Sequence, residues 1–196
     1  MFLLGLTGSI GMGKSTTGAM FAEAGCARWD ADAAVHRLYG RGGAAVPAFE
    51  MHFPKSVRDG EVCRTALKSI IAEDPTALPR IEALVHPLVA EDRAEFLRNA
   101  KAEIAVLDIP LLFETGGERE MDAVACVTIP PELQAERVLA RGTMTEAQFE
   151  AIRAKQMPNE QKCARSDYVI KTDTLEHARA QVQDVIRDIR RRIAHA

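Results

Sequence analysis

The sequence predicts an α/β fold in which a parallel β-sheet is covered by helices on both faces. Short apolar segments alternate along the chain with longer segments of helical periodicity, which is the pattern of β-α-β units. One interval, 33–100, is too long for a simple crossover and indicates an inserted, mainly helical subdomain. The expected strands are 2–6, 26–29, 104–109, 122–129 and 167–171.

The helices outside the insert are predicted from their periodicity and end signals. One is expected at 14–24, and Pro131 suits the first turn of another that runs to about Arg141. Thr145 and Gln148 have capping-box spacing, so a further helix should begin there and end before Pro158. The last helix is indicated by apolar residues at helical spacing, namely Leu175, Ala178, Val182, Val185, Ile186, Ile189 and Ile193.

Within the insert, the helical pattern is interrupted by two turn-rich stretches, 40–47 and 53–60. His86 and Pro87 are expected to interrupt a third helical stretch, because proline removes a backbone hydrogen bond. A lone histidine is usually structural, so His86 has either a structural role or a contact with a ligand. No role is assigned to the remaining histidines, which have no metal-ligand spacing: His36, His52, His177 and His195.

The composition is that of an ordinary soluble globular chain, with 47% hydrophobic and 27% charged residues among 196. The formal net charge of -3 and the pI of about 6.0 give no reason to expect a nucleic-acid or membrane partner. The four cysteines are scattered without a Cys-x-x-Cys pair, which favours reduced thiols. With no signal-peptide pattern at the N-terminus, the sequence predicts a cytoplasmic protein, either a monomer or a small homo-oligomer.

The most specific motif is a glycine-rich loop between the first strand and the first helix. Residues 8–15 match G-x-x-x-x-G-K-[ST] at every fixed position, and the strand–loop–helix context agrees. In such a loop the backbone N–H groups surround phosphate oxygens, the lysine reaches the β/γ-phosphates and the serine hydroxyl binds Mg²⁺. The predicted ATP-binding residues are Gly8, Ser9, Ile10, Gly11, Met12, Gly13, Lys14, Ser15, Thr16 and Arg137, with Ser15 as the metal ligand.

This motif makes the predicted fold a P-loop NTPase three-layer sandwich, and it predicts binding of a nucleoside triphosphate. The motif alone does not choose between a kinase, a GTPase and an ATPase.

A kinase also needs a group that accepts the proton of the acceptor hydroxyl, and two acidic sites could supply it. Asp30 and Asp32 follow the second strand, at the sheet edge where ligands bind in α/β folds. Asp32 is therefore a candidate base. The alternative is that one aspartate only caps the next helix, or that Asp30 and Asp32 divide the two roles. Asp108 ends the 104–109 strand, where it could belong to the Mg²⁺ shell or cap a turn.

Three arginines could neutralise the charge that spreads over the transferred phosphoryl group. Arg137 and Arg141 lie four residues apart, so they share one helix face, and Arg153 follows in the next helix. Arginines supplied by a mobile lid could reach the phosphates in this way. For each of these arginines a surface salt bridge is the alternative.

The chain resembles the dephospho-CoA kinase family over nearly its whole length. The Asp-Ile-Pro-Leu-Leu-Phe-Glu run is the most diagnostic segment, because the phosphate loop is shared by many families. The segments that carry the resemblance are Gly5–Gly8 leading into the phosphate loop, Asp30-Ala31-Asp32, Asp59-Gly60-Glu61 with Arg64 and Leu67, Glu82–Pro87, Asp108–Glu114, Gln156-Met157-Pro158 with Lys162, and Ser166–Ile170. The chain departs from the family pattern at Lys171 and Thr172, in a loop expected near the adenine.

The resemblance implies transfer of the ATP γ-phosphate to the ribose 3′-hydroxyl of dephospho-CoA, giving coenzyme A and ADP. It implies that Asp32 is the base, that Lys14 and Arg141 are catalytic, and that Arg141 lies in a lid. It also implies three parts: a core of about 1–32, 101–140 and 158–196, an acceptor-binding helical insert of about 33–100, and a short lid of about 141–157. The residues expected to hold the acceptor are Asp32, His86, Asp108, Leu111, Leu112 and Glu114.

Three other functions are weighed against this one. A kinase acting on a nucleoside monophosphate or shikimate is disfavoured by the 108–114 segment and by the His-Pro pair. A GTP-binding switch normally carries Asn-Lys-x-Asp near a late strand, and the sequence has no such motif. A binding module without catalysis is disfavoured by intact Lys14, Ser15 and Asp32.

Overall fold

The computed structural model describes residues 1–195, whose helices and strands follow the predicted alternation closely. Single turns of 3₁₀ helix occur at Pro54–Ser56 and Gly117–Glu120. In chain order the elements are β1 (Phe2–Thr7), α1 (Lys14–Glu23), β2 (Ala27–Asp30), α2 (Ala31–Tyr39), α3 (Val46–His52), β3 (Val57–Arg58), β4 (Glu61–Val62), α4 (Arg64–Glu73), α5 (Ala77–Asn99), β5 (Ile104–Asp108), β6 (Ala123–Thr128), α6 (Pro131–Ala140), α7 (Glu146–Lys155), α8 (Asn159–Ala164), β7 (Tyr168–Lys171) and α9 (Leu175–Ala194).

The central sheet has the strand order β2-β5-β1-β6-β7, and β1 pairs in parallel with both β5 and β6. In this register Leu6 lies opposite Asp108 and Thr7 lies opposite Cys126. Because the strands are parallel, their carboxyl ends meet at one edge of the sheet. The phosphate loop follows β1 at that edge, which is where α/β folds bind their ligands.

Both faces of the sheet are buried, as the sequence predicts. On one face, Leu4, Leu6 and Val127 join a large core with residues of α1 and α9. On the other face, Val124 packs with Leu112 and Phe113 in a smaller cluster. Alternate residues of a strand point to opposite faces, so this division explains why the strands read as nearly continuous apolar runs. The predicted three-layer α/β fold is confirmed.

The chain divides into two compact units. The first comprises residues 1–29 with the chain from Ala100 onward, and it contains most of the sheet and the phosphate loop. The second is Asp30–Asn99, which contains α2 to α5 and the short β3–β4 hairpin. Its core is apolar, with Phe49 fully buried and stacked edge-on against Tyr39 at 5.3 Å between ring centroids. The predicted limits of the insert and of the lid stay predictions.

One local expectation about secondary structure is wrong, and two short elements were not predicted. The 53–60 stretch interrupts the helices, as predicted, but its last residues also begin the unpredicted β3–β4 hairpin, whose turn residues Asp59 and Gly60 both have positive φ (51° and 75°). The interruption at His86-Pro87 is absent, since α5 runs continuously through Pro87. The short helix α8 had no sequence signal, because six residues show too little periodicity.

The reason that α5 tolerates Pro87 lies in its packing. Val85 on one side of the proline is buried in the core of the second unit, and Leu88 on the other side packs against the same core. Most helical stability in proteins comes from tertiary packing, and here the packing outweighs the loss of one backbone hydrogen bond. Among residues 1–195, no helix is long and apolar enough to cross a membrane.

Candidate active site

The phosphate loop folds into a left-handed turn that ends at the N-terminus of α1. Gly13 is the N-cap residue of α1 and has φ 87°, a conformation that L side chains rarely adopt. A Cβ at this position would lie 2.9 Å from the Thr172 hydroxyl, so the packing also excludes a larger residue. The first turn of α1 then leaves Ser15 and Thr16 exposed. This arrangement presents backbone N–H groups and a helix N-terminus to an anion.

A buried carboxylate joins two cations beside this loop. Asp108, at the end of β5, is fully buried and bonds the ammonium of Lys14 through one oxygen. Its second oxygen accepts a hydrogen bond of 2.8 Å from the guanidinium of Arg28 on β2. Burial of an unpaired carboxylate would be costly, and these two partners compensate it. Asp108 therefore fixes the position of the phosphate-loop lysine at the carboxyl edge of the sheet.

Two amide side chains from the segment after α7 bond the start of the phosphate loop. The side-chain oxygen of Gln156 accepts a hydrogen bond of 3.1 Å from the backbone N–H of Ile10. The side-chain oxygen of Asn159 accepts one of 3.0 Å from the N–H of Ser9. The amide nitrogen of Asn159 donates to the carbonyl of Val127 at 3.3 Å, which connects the loop to β6.

Further side chains bond the carbonyl groups of the loop. Gln134 on α6 donates to the carbonyl of Ile10 at 2.7 Å, and Thr172 after β7 donates to the carbonyl of Met12 at 2.7 Å. The loop is thus held from several elements at once, which keeps its remaining N–H groups in a fixed arrangement. Such preorganisation lowers the cost of binding an anion.

Arg137 has backbone partners in the structure. Its guanidinium donates to the carbonyls of Thr172 at 2.9 Å and of Asp173 at 3.0 Å. It therefore holds the segment after β7, the same segment that departs from the family pattern at Lys171 and Thr172. The expectation that Arg137 binds the nucleotide directly stays a prediction.

The 108–114 segment is held in place by a buried lysine. Lys162 on α8 is fully buried, and its ammonium donates to the carbonyl of Pro110 and to the Glu114 carboxylate, both at 2.9 Å. Burial raises the pKa of Glu114, but the hydrogen bonds from Lys162 and from the N–H of Met157 outweigh it and hold that pKa below its usual value. Within the segment, Leu112 is fully buried.

The neighbouring Leu111 is 42% exposed, so it is the leucine of this segment that presents apolar surface to solvent. The expected acceptor contacts of Asp108, Leu111, Leu112 and Glu114 stay predictions.

The arginines of the predicted lid are exposed in the structure. Arg141 is the C-cap residue of α6, and Arg153 on α7 bonds Glu150 at 2.7 Å. The expected capping box is confirmed, because Thr145 accepts from the N–H of Gln148 and the Gln148 side chain accepts from the N–H of Thr145. The catalytic role expected for Arg141 stays a prediction.

In the second unit, the two acidic residues at the junction of β2 and α2 take different positions. Asp30 is the N-cap residue of α2, where its carboxylate accepts a 2.9 Å hydrogen bond from the N–H of Ala33. Asp32 lies in the first turn of α2 and is exposed. The capping role therefore belongs to Asp30, which leaves the Asp32 carboxylate available for other chemistry. His86 is exposed on α5, and its contact with the acceptor stays a prediction.

Sequence reasoning missed several residues that organise this site. The role of Arg28 could have been inferred from the sequence, because an arginine inside a short buried strand needs an acidic partner. Gln134 and Asn159 had no such signal, since amide side chains on helices are ordinarily solvent-exposed. Lys162 belongs to the family pattern, but nothing in its local sequence indicates that it is buried.

The parallel sheet, the glycine-rich loop and the buried lysine–aspartate pair define a P-loop nucleotide-binding protein. Comparisons with known proteins identify the family within this class. A profile of the dephospho-CoA kinase family matches residues 2–177. The chain belongs to this family, as its motifs predict, and a kinase family uses ATP as the phosphate donor.

Individual relatives agree with this assignment. A dephospho-CoA kinase from Ruegeria pomeroyi is 72% identical over 195 residues, covering 100% of this chain and 99% of the relative. A dephospho-CoA kinase from Cereibacter sphaeroides is 62% identical over 189 residues, covering 96% of each. The crystal structure of TT1252 from Thermus thermophilus has a TM-score of 0.85 and 31% identity, covering 94% of this chain and 95% of the other.

Proposed function

We propose that this chain transfers the γ-phosphate of ATP to the ribose 3′-hydroxyl of dephospho-CoA, giving coenzyme A and ADP in the last step of coenzyme A synthesis. The observation that carries the proposal is an intact phosphate loop with its Lys14–Asp108 pair in a member of the dephospho-CoA kinase family. A kinase of this class needs little covalent chemistry from the protein. Its residues position the two substrates and stabilise developing charge.

The nucleotide side of the reaction uses the first unit. The left-handed turn at Gly13 and the N-terminus of α1 fit a phosphate group, because they present backbone N–H groups to an anion. Lys14 binds the β- and γ-phosphates, and its bond to Asp108 supports this role because it fixes the ammonium group beforehand. The exposed Ser15 hydroxyl suits Mg²⁺, which prefers oxygen ligands and retains several waters. Bound Mg²⁺ would neutralise charge on the phosphates.

The acceptor side of the reaction is assigned to Asp32, His86 and the 108–114 segment. Asp32 accepts the proton of the acceptor hydroxyl, and its exposed position and the capping by Asp30 support this role. Leu111 offers apolar surface to the acceptor, while Leu112 supports the segment from the core. Arg141 neutralises charge on the transferred group as the lid closes.

An acceptor panel tests the proposal. The purified chain is incubated with ATP and Mg²⁺, and ADP release is measured with dephospho-CoA, AMP, CMP, shikimate or no acceptor. Release only with dephospho-CoA is expected. Equal release with shikimate or a nucleoside monophosphate would contradict the assigned acceptor, and release independent of any acceptor would indicate an ATPase.

The role of Asp32 is tested with a charge-neutral variant. Asp32→Asn should lower turnover by about 10²–10⁴-fold, the usual contribution of a general base, and leave ATP affinity nearly unchanged. Glu91→Gln is the matched control, because Glu91 is also an exposed carboxylate of the second unit. Normal turnover in Asp32→Asn would exclude Asp32 as the base.

A cytoplasmic location and a monomeric or small homo-oligomeric state belong to the same proposal. Analytical ultracentrifugation measures the oligomeric state directly, and a large assembly would contradict the proposal.

A further inference from the structure

Two cysteine side chains meet beside the phosphate loop. Cys126 lies in β6 and Cys163 lies on α8, and their sulfur atoms are 3.5 Å apart. Both are free thiols in the structure. A disulfide has a sulfur–sulfur length of about 2.05 Å, so closing the bond requires an approach of about 1.5 Å. The distance is thus short enough for a bond after a modest movement of α8 or a rotation of the side chains.

The same amide that holds the phosphate loop lies against both sulfur atoms. Asn159 is four residues before Cys163, so the two share one face of α8. Its nitrogen is 3.6 Å from the sulfur of Cys163 and its oxygen is 3.9 Å from the sulfur of Cys126. That oxygen is also the acceptor for the N–H of Ser9. The thiol pair is therefore one side chain away from the phosphate loop.

The two thiols differ in accessibility and acidity. Cys126 is fully buried, whereas Cys163 is half-buried and is therefore the more accessible residue of the pair. A hydrogen bond from Cys126 stabilises the thiolate of Cys163 and lowers the pKa of Cys163 to about 7. The same interaction, together with burial, raises the pKa of Cys126. Because the thiolate is the reactive form, Cys163 is the nucleophile of the pair.

We propose that Cys163 is an oxidative modification site that reacts with peroxide and then forms a disulfide with Cys126. In the first step the Cys163 thiolate attacks one oxygen of hydrogen peroxide, which gives a sulfenic acid and releases hydroxide. In the second step the sulfur of Cys126 attacks the sulfenic sulfur, the sulfenic oxygen leaves, and water is formed. Overall, two thiols are oxidised to one disulfide while one peroxide is reduced to two waters.

The disulfide should weaken nucleotide binding. β6 is an interior strand, paired with β1 and β7, so it resists displacement and α8 moves instead. Movement of α8 toward β6 shifts Asn159 and disturbs its hydrogen bond with the N–H of Ser9. Loss of one such bond is expected to weaken ATP binding by roughly 3–10-fold. Reduction of the disulfide should restore the affinity.

Mass spectrometry and nucleotide binding test the proposal together. The reduced protein is treated with hydrogen peroxide and digested, and the peptides that contain Cys126 and Cys163 should be found cross-linked. Affinity for a fluorescent ATP analogue should fall on oxidation and recover with dithiothreitol. Both readouts are independent of the acceptor, so they can succeed even if the proposed kinase activity fails.

Single-cysteine variants provide the control. Cys163→Ser and Cys126→Ser should both lose the cross-link, and Cys126→Ser should stop at the sulfenic acid of Cys163. Cys63→Ser should keep the cross-link, since Cys63 has similar exposure and lies in the second unit. Absence of the cross-linked peptide in the unsubstituted chain would overturn the modification site. A cross-link formed without any change in ATP affinity would overturn the connection to the phosphate loop.

Discussion

Lys162→Met removes the buried cation that holds the 108–114 segment. The lysine is fully buried and makes two bonds of 2.9 Å, to Pro110 and to Glu114. Methionine has a similar volume, so the main effect is the loss of these partners rather than a cavity. Removal of one partner of a buried ion pair usually costs about 3–5 kcal/mol.

The expected loss of folding free energy lies at the lower end of that range, because the Glu114 side chain is 19% exposed and can be hydrated once Lys162 is gone. A loss of about 3 kcal/mol lowers the midpoint of thermal unfolding by about 6–12 °C for a chain of this size. Arg179→Met is the control. Its ion pair with Glu23 is more than half exposed on both sides and should contribute at most about 1 kcal/mol.

A double-mutant cycle separates the ion pair from general effects of substitution. Thermal or urea unfolding is measured for Lys162→Met, for Glu114→Gln and for the double variant. The double variant should be more stable than the sum of the single losses predicts, by about 1–3 kcal/mol. Additive losses would refute the reasoning, because they would show that the two side chains act independently. In the kinase assay, Lys162→Met should raise KM for dephospho-CoA more than KM for ATP.

Three further predictions follow from local contacts. Gly13→Ala should destabilise the protein by about 1–2 kcal/mol and weaken ATP binding, because φ is 87° and a Cβ would crowd Thr172; an unchanged unfolding midpoint and ATP affinity would contradict it. Asp30→Ala should cost about 1 kcal/mol in a urea titration through loss of the α2 cap, whereas Asp30→Asn, which can still accept from Ala33, should cost less. Glu114 has a lowered pKa in the folded state, so its stabilising contribution is present above the unfolded pKa and is lost as the pH falls through the lower, folded one. The acid side of the stability–pH curve should therefore be shallower in Glu114→Gln, and identical curves would exclude this contribution.

The core of the fold could be predicted from the sequence because its signals are local. A buried parallel strand reads as a short apolar run, and β1 and β6 were found in this way to within a residue or two at each end. The phosphate loop is a contiguous motif, so its position between β1 and α1 was also predictable. The capping box of α7 involves only neighbouring residues, and it was predicted for the same reason.

The parts that could not be predicted depend on contacts between distant residues. Asn159 reaches Ser9 across 150 positions, and Lys162 reaches Pro110 across 52. No local pattern records such pairs. Pro87 is the opposite case. The local rule predicts a break in the helix, but the packing of the neighbouring turns keeps α5 continuous. The choice between Asp30 and Asp32 as the cap also required the hydrogen bond to be seen.

The position of the transferred phosphate tests the central claim most directly. The chain is incubated with dephospho-CoA and ATP labelled in the γ-phosphate, and the product is analysed by phosphorus NMR and by digestion with a 3′-nucleotidase. The expected product is coenzyme A with the label on the ribose 3′-oxygen. A label at any other position of the acceptor, or an unlabelled acceptor with free labelled phosphate, would contradict the account.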